Sequence, residues 1–229
     1  MPALDAILTG RTELHLSDAP DGQRLQADAA GAFAALRAAA ASQGFDLRIA
    51  SGFRSFAVQQ AIWDAKLSGQ RAVLDDCGVV LDLAAMEPLA QLHAVLRYSA
   101  LPGASRHHWG TDLDVYDARA LPVGYRLRLT PDEWGERGLF AALDSWLTAR
   151  IAGNDSCGFF RPYVRDCGGV APEPWHLSFA PLARDYARAM TPALLAQCLG
   201  ACERAIARQD TVLANLPALF ARYVGVAPA

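Results

Sequence analysis

The sequence contains no Cys-x-x-Cys pair, no long uninterrupted apolar run, no basic tail and no low-complexity tract. Each absence removes a class of function. Five cysteines without that spacing exclude a thiolate zinc knuckle and a thioredoxin-like redox motif. Their odd number leaves at least one without a partner in the same chain. Cys198 and Cys202, four residues apart, fall on one face of an expected helix, where small thiols serve as core residues. Cys157 and Cys167 flank a loop that a disulfide would staple in an oxidising compartment. No segment is long and apolar enough for a membrane span. A net charge of -3 argues against a nucleic-acid surface held by bulk electrostatics. Residues Met1 to Leu8 carry no basic n-region and no long apolar stretch, so a cleavable leader is not expected. With the thiols, that favours a cytoplasmic protein; a periplasmic protein whose leader was removed is the alternative.

What is present suits a packed domain with a helical appendage: apolar residues make up 52% of the 229 residues and charged residues 20%. Residues 12 to 16 read as a short strand. Asp18 is placed to cap a helix in which Leu25, Ala29, Phe33, Leu36 and Ala40 recur at helical spacing, stopped by Gly44. Residues 46 to 51 read as a strand entering a turn, 57 to 67 as a helix ending at Gly69, and 87 to 97 as a helix before the breaker Leu101-Pro102-Gly103. Thr111 to Tyr116 alternates as a strand. Thr130-Pro131-Asp132-Glu133 carries the signature of a capping box, with a helix expected to run to about residue 151. A long loop over 154 to 174 leads to a strand at 175 to 179. The rest is expected to be helical, with a second Thr-Pro start at Thr191-Pro192 and a break at Pro217. Helices mixed with a few short strands, not in regular alternation, predict an α+β fold with a small, mainly antiparallel sheet.

Chemistry concentrates in two segments. In Ser105-Arg106-His107-His108-Trp109-Gly110-Thr111-Asp112-Leu113-Asp114, a histidine precedes an aspartate by seven residues. In Glu173-Pro174-Trp175-His176, a carboxylate precedes a histidine by three. His107, Asp114 and His176 are candidate zinc ligands, and Glu173 a candidate general base. That is the set a zinc peptidase requires: three protein ligands, an open position and a carboxylate to move the proton. Adjacent His107 and His108 cannot face one point in an extended chain, so His108 is read as an ordinary hydrogen-bonded or solvated group. Asp112 shares a strand face with Asp114. It is open to three roles: support for a ligand, contact with substrate, or replacement of Asp114, which ranks first. Arg54, in a Ser-Gly-Phe-Arg-Ser turn, is suited to grip a carboxylate or an oxyanion, with Gln59 as a neutral donor nearby.

These segments resemble the zinc D-alanyl-D-alanine carboxypeptidases and dipeptidases of vancomycin resistance. In wider terms they resemble the fold group shared by lysostaphin-type peptidases and hedgehog domains. The match rests on Ser-x-His-x-x-Gly-x-x-x-Asp, Glu-x-Trp-His, the Ser51-Gly52-Phe53-Arg54-Ser55 segment with Gln59, and Ala100-x-Pro102-Gly103-x-Ser105. Phe53 replaces the usual tyrosine, and Asp112 stands where the family carries a small residue. The resemblance covers about 45 to 182, the core of a zinc peptidase domain expected over 1 to 182; the helical part, 183 to 229, lies outside it and is expected as an extension packed on the same domain. It implies one Zn²⁺ per chain held by His107, Asp114 and His176, with Glu173 as catalytic base and Arg54 at the oxyanion. Ser105 would contact the substrate carboxylate, and Gln59, Asp112 and Tyr163 would line the substrate site. The implied partner is a peptidoglycan stem peptide or muropeptide ending in D-alanine, cut as a D,D- or an L,D-carboxypeptidase. A wall endopeptidase and a zinc-containing binding module are the alternatives.

Overall fold

The computed structural model describes residues 3–225. Its main sheet has four strands: β1 (Leu47–Ser51), β2 (Asp112–Asp117), β3 (Phe159–Phe160) and β4 (His176–Phe179), in spatial order β1-β2-β4-β3 and antiparallel throughout. Strand periodicity sorts its residues between two faces. Leu113 and Val115 of β2, Leu177 of β4 and Leu47 and Ile49 of β1 enter one core. There they meet Phe33 and Leu36 of α1 (Ala27–Ser42) and Leu143 and Leu147 of α4 (Ala141–Ala152). Each such side chain contributes about 1.5–3 kcal/mol by leaving water. The opposite face carries Asp112, Asp114, His176 and Ser178, with Asp114 opposite both Ser51 and His176 in the register.

A second core joins α2 (Phe56–Leu67), α3 (Pro88–Leu96), α6 (Pro192–Gly200) and α7 (Leu216–Tyr223) through Trp63, Leu92, Val95, Leu195, Leu199 and Leu219. The Trp63 indole donates to the Ala207 carbonyl at 2.9 Å, and the Gln60 amide to that of Arg204 at 3.1 Å. The C-terminal helices therefore complete the core beneath α2, following α5 (Ala180–Ala189). They also buttress the turn at Gly103, where an added Cβ would lie 3.1 Å from both Leu195 Cδ1 and Cys198 Sγ.

The structure departs from the sequence reading in three places. Residues 12 to 16 form no strand, and Leu14 is exposed. Instead Ser17–Asp18 pairs with Arg24–Leu25 across a Pro20-Asp21-Gly22 turn. That turn delays the helix, which starts at Ala27 rather than after Asp18. The helix expected from Thr130 to about 151 is two helices, Pro131–Trp134 and α4. Gly135 leaves helical geometry, and a Cβ at Gly138 would strike the Glu133 carbonyl oxygen at 2.4 Å. Cys157 and Cys167 are free thiols. Among the described residues no helix is long and apolar enough to cross a membrane.

Candidate metal centre and active site

The sheet face opposite the first core opens into a cleft of about 900 Å³. His107 enters from a short 3-10 turn, Arg106–Trp109, that ends at Gly110 with φ +68°. A side chain at position 110 would collide with Leu16, so only glycine makes the turn from His107 into β2. Asp114 comes from the middle of β2, and His176 from the first position of β4 directly opposite.

One atom from each of His107, Asp114 and His176 falls in a cluster spanning no more than 4.8 Å. His107 Nε2 lies 3.4 Å from Asp114 Oδ2, and His176 Nδ1 lies 3.2 Å from Asp114 Oδ1. Ligand atoms on a tetrahedral zinc ion with bonds near 2.0–2.1 Å stand about 3.3 Å apart. Asp114 Oδ1 is buried and makes no hydrogen bond among the described residues, as expected of an atom reserved for an ion. The donor set, two imidazoles and one carboxylate, is the type zinc takes in catalytic sites.

The two imidazoles are oriented from behind. His107 Nδ1 donates to the Gly52 carbonyl at 2.8 Å, leaving Nε2 free to face the cluster. His176 Nε2 donates to Asp112 Oδ1 at 3.0 Å, leaving Nδ1 to face it. Such outer partners fix both tautomer and ring angle. Burial disfavours charge on Asp114, yet His107 and His176 hold its carboxyl well below the usual carboxylate range. Burial also lowers His107. It works against the His176 imidazolium too, but Asp112 and Asp114 raise that group to about 9.

Glu173 precedes β4, its backbone N–H donating to the Tyr163 carbonyl at 2.9 Å. Its Oε2 lies 3.5 Å from His176 Nδ1, at the edge of the cluster and on the cleft wall. Burial pushes this carboxyl up to about 7, and the nearby Asp114 adds to the rise against His176 and Arg54. Arg54 is held by Gln59 Oε1 at 2.9 Å and Ser51 Oγ at 3.1 Å, with Asp114 Oδ2 at 3.9 Å. Ser105 and Tyr163 line the cleft, and the Tyr163 ring packs edge-on to His176 with centroids 5.2 Å apart. Burial raises the Tyr163 phenol, so it remains a donor.

Two residues read as substrate contacts sit elsewhere. Asp112 is fully buried and does not line the cleft. Its carboxylate accepts from Arg106 Nε at 2.7 Å, Thr111 Oγ1 at 2.7 Å and His176, and these groups hold it down to about 2 against burial. Gln59 is likewise fully buried and spans Arg54 and the Ala100 carbonyl, so it aims the guanidinium rather than touching substrate. His108 is not solvated. Its Nδ1 donates to the Arg54 carbonyl and its Nε2 accepts from the Gly103 N–H at 3.1 Å, so it ties three segments together as a neutral ring. Arg106 was not anticipated. It bridges Asp112 and Ser178 Oγ (2.6 Å) and stacks over Trp109. Its spacing of six residues from a buried aspartate is too loose a signal to have revealed it.

The D-alanyl-D-alanine carboxypeptidase family model matches residues 22–182, most of the chain. The chain belongs to that family. It is an enzyme of the carboxypeptidase type. Two uncharacterized proteins of Haemophilus influenzae are also similar. One is 43% identical over 99 residues, covering 42% of this chain and 68% of the relative; the other is 32% identical over 126 residues, covering 54% and 92%. Among solved structures, a glutamate-to-alanine variant of the vancomycin-resistance D,D-pentapeptidase VanY with Zn(II) superposes with a TM-score of 0.51 at 23% identity, over 80% of this chain and 90% of that one. VanYB in complex with D-alanine-D-alanine gives 0.51 at 22%, over 85% and 92%. The LdcB LD-carboxypeptidase gives 0.51 at 20%, over 78% and 75%. At these identities the structural likeness establishes the fold.

Proposed function

We propose that this family member is a zinc-dependent carboxypeptidase that removes a C-terminal D-alanine from peptidoglycan stem peptides. The observation that carries the reading is the cluster of His107, Asp114 and His176, in which Asp114 Oδ1 has no hydrogen-bond partner, with the Glu173 carboxylate at its edge. When bound to these three residues, one zinc ion per chain would supply Lewis acidity beside the scissile carbonyl.

The chain's own residues do the rest. Glu173, in a site where burial favours its protonated form, takes the proton of the attacking water and passes it to the leaving amine. The Arg54 guanidinium, fixed by Gln59 and Ser51, donates to the oxyanion that develops on the carbonyl. Tyr163 and Ser105 offer hydroxyl donors along the same wall. Support for the substrate class comes from the family and from the ligands and activities named for the structural neighbours, D-alanine-D-alanine and LD-carboxypeptidase.

The test is to incubate the zinc-loaded protein with muropeptides ending in the tetrapeptide and in the pentapeptide, and to follow mass loss. Release of one alanine from the pentapeptide alone identifies a D,D-carboxypeptidase. Conversion of tetrapeptide to tripeptide identifies an L,D-carboxypeptidase. Cleavage within a cross-link and no terminal release would replace the reading with an endopeptidase.

A further inference from the structure

Lys66 is the only lysine in the sequence; every other cationic side chain apart from histidine is an arginine. It occupies the last turn of α2 and lines the cleft. Arg71 lines the same wall, its backbone N–H tied to the end of α2 by the Ala65 carbonyl at 2.9 Å. Among the described residues neither Lys66 nor Arg71 is in an ion pair with a carboxylate. Lys66 is half-buried and Arg71 exposed. Little-exposed arginines elsewhere are paired: Arg106 reaches Asp112 at 2.7 Å, Arg161 reaches Asp144 at 2.8 Å, and Arg97 reaches Asp76 at 2.8 Å. Burial and the neighbouring Arg71 and Arg54 draw the Lys66 ammonium down to about 8, with Glu173 opposing. Lys66, Arg71 and Arg54 thus line one cleft with five carboxylates. Glu173 and Asp114 belong to the catalytic centre, Asp76 pairs with Arg97, Asp132 with Arg128, and Asp75 accepts from the Cys77 and Val79 N–H groups.

A lysine in the last turn of a helix is favourably placed for the helix dipole. That accounts for a solvated ammonium on the outside of α2, but not for one turned into a cleft beside two guanidiniums. Arg71 and Arg54 both disfavour charge on Lys66, and an anion bound in the cleft relieves that repulsion. A lysine ammonium suits such a site, because its three donors rotate onto a carboxylate oxygen from a compact point charge.

We propose that Lys66 and Arg71, beside Arg54, form a carboxylate subsite that reads a free carboxylate of the substrate next to the scissile bond. The proposal rests on the peptidase reading for the identity of the substrate. The carboxylate has two sources: the C-terminus of the leaving D-amino acid, or a side-chain carboxylate on the acyl-side residue. A terminal source makes Lys66 and Arg71 the reason the enzyme trims ends; a side-chain source makes them the reason it selects one diamino acid.

The single lysine supplies the test. Reductive methylation with ¹³C-formaldehyde labels only Lys66 and the α-amine and preserves charge, so Lys66 gives one assignable NMR resonance. In the Glu173→Gln protein, which needs no turnover, that resonance is followed during titration with four peptides. They are the acid and C-terminal amide of a D-alanine-terminated stem peptide, each with and without a side-chain carboxylate on the acyl residue. The resonance is expected to shift with peptides carrying the recognised carboxylate and to stay still with those lacking it, and the pair of peptides that differ identifies the source. Lys66→Gln and Arg71→Gln, in the active protein, are expected to raise KM for the recognised peptide by about 10- to 100-fold, as for a lost charged hydrogen bond. They should leave the neutralised peptide unchanged, as should Arg188→Gln on the far surface with both. A Lys66 resonance unmoved by every peptide overturns the subsite, as do variants that impair acid and neutralised peptides alike. Failure of the wild type to cleave any peptide would instead sink the peptidase reading, leaving the Lys66 resonance to report on carboxylate binding by itself.

Discussion

Asp112→Asn isolates the support behind the metal site from the site itself. Asp112 makes one hydrogen bond to His176 Nε2 at 3.0 Å and one to Arg106 Nε at 2.7 Å, and it is fully buried. The asparagine keeps the volume and an accepting oxygen but removes the charge. Two consequences separate. The Arg106 guanidinium, nearly buried, loses its counter-charge, and breaking such a pair from one side costs about 3–5 kcal/mol of stability. His176 becomes a weaker and less firmly oriented ligand, which lowers metal affinity by about 10- to 100-fold, or roughly 1.4–2.7 kcal/mol. Removing Arg106 as well, in Arg106→Gln/Asp112→Asn, eliminates the unpaired cation and should recover most of the stability. It should not recover the zinc affinity, because the carboxylate behind His176 is still missing. Urea unfolding in the presence of chelator gives the first quantity, and competition against a chromophoric zinc chelator gives the second. Zinc affinity unchanged in Asp112→Asn, or a double variant as unstable as the single one, would refute the reasoning.

Other expectations follow from the same geometry. Glu173→Gln should bind one zinc ion per chain as wild type does, while turnover falls by about 10²- to 10⁴-fold; zinc content and D-alanine release measure the two. Gln59→Leu frees Arg54 Nη1 and strands the Ala100 carbonyl, so it should cost about 1–3 kcal/mol in unfolding and lower kcat/KM by about tenfold. For the metal-free protein, the folded values of Glu173 and His176, about 7 and about 9, lie above their ordinary values of 4.5 and 6.5. Their contributions to stability are therefore complete below the ordinary values and are lost as pH rises through about 7 for Glu173 and about 9 for His176. Chemical denaturation of the chelated protein should show stability falling across this range, with the Glu173 part absent in Glu173→Gln. Zinc affinity should rise over the same range, because the ion displaces the His176 proton; a flat or opposite slope in either measurement would contradict the assignment.

The α+β class with its antiparallel sheet was legible in the sequence, as was the grouping of His107, Asp114 and His176, for local reasons. Asp112 and Asp114 alternate with Leu113 and Val115, so the strand and its two faces follow from period two alone. What alternation cannot give is direction along the face. Asp112 and Asp114 share it, but only the Asp114 carboxylate reaches the cluster, because Arg106 and Thr111 draw Asp112 behind His176. Gln59, five residues beyond Arg54, does reach it, yet its amide is consumed by Arg54 and Ala100. Lys66 leaves one trace in the sequence: it lies seven residues beyond Gln59, on the same side of α2, and no other lysine is present. Errors in the fold came from turn chemistry. Pro20-Asp21-Gly22 is a turn signal that outweighs the helical spacing of Leu25, and Asp21 uses the turn to accept from the Ile49 N–H at the edge of β1. The capping signature at Thr130 is real, but the two glycines at 135 and 138 end the helix after one turn.

The measurement that tests the central claim most directly is release of D-alanine from a stem peptide by three preparations side by side: protein with one equivalent of zinc, the same protein stripped by chelator, and zinc-loaded Glu173→Gln. The account predicts release by the first, loss in the second that added zinc restores, and near-absence in the third despite bound zinc. Equal release by the stripped protein, or full activity in Glu173→Gln, would contradict it.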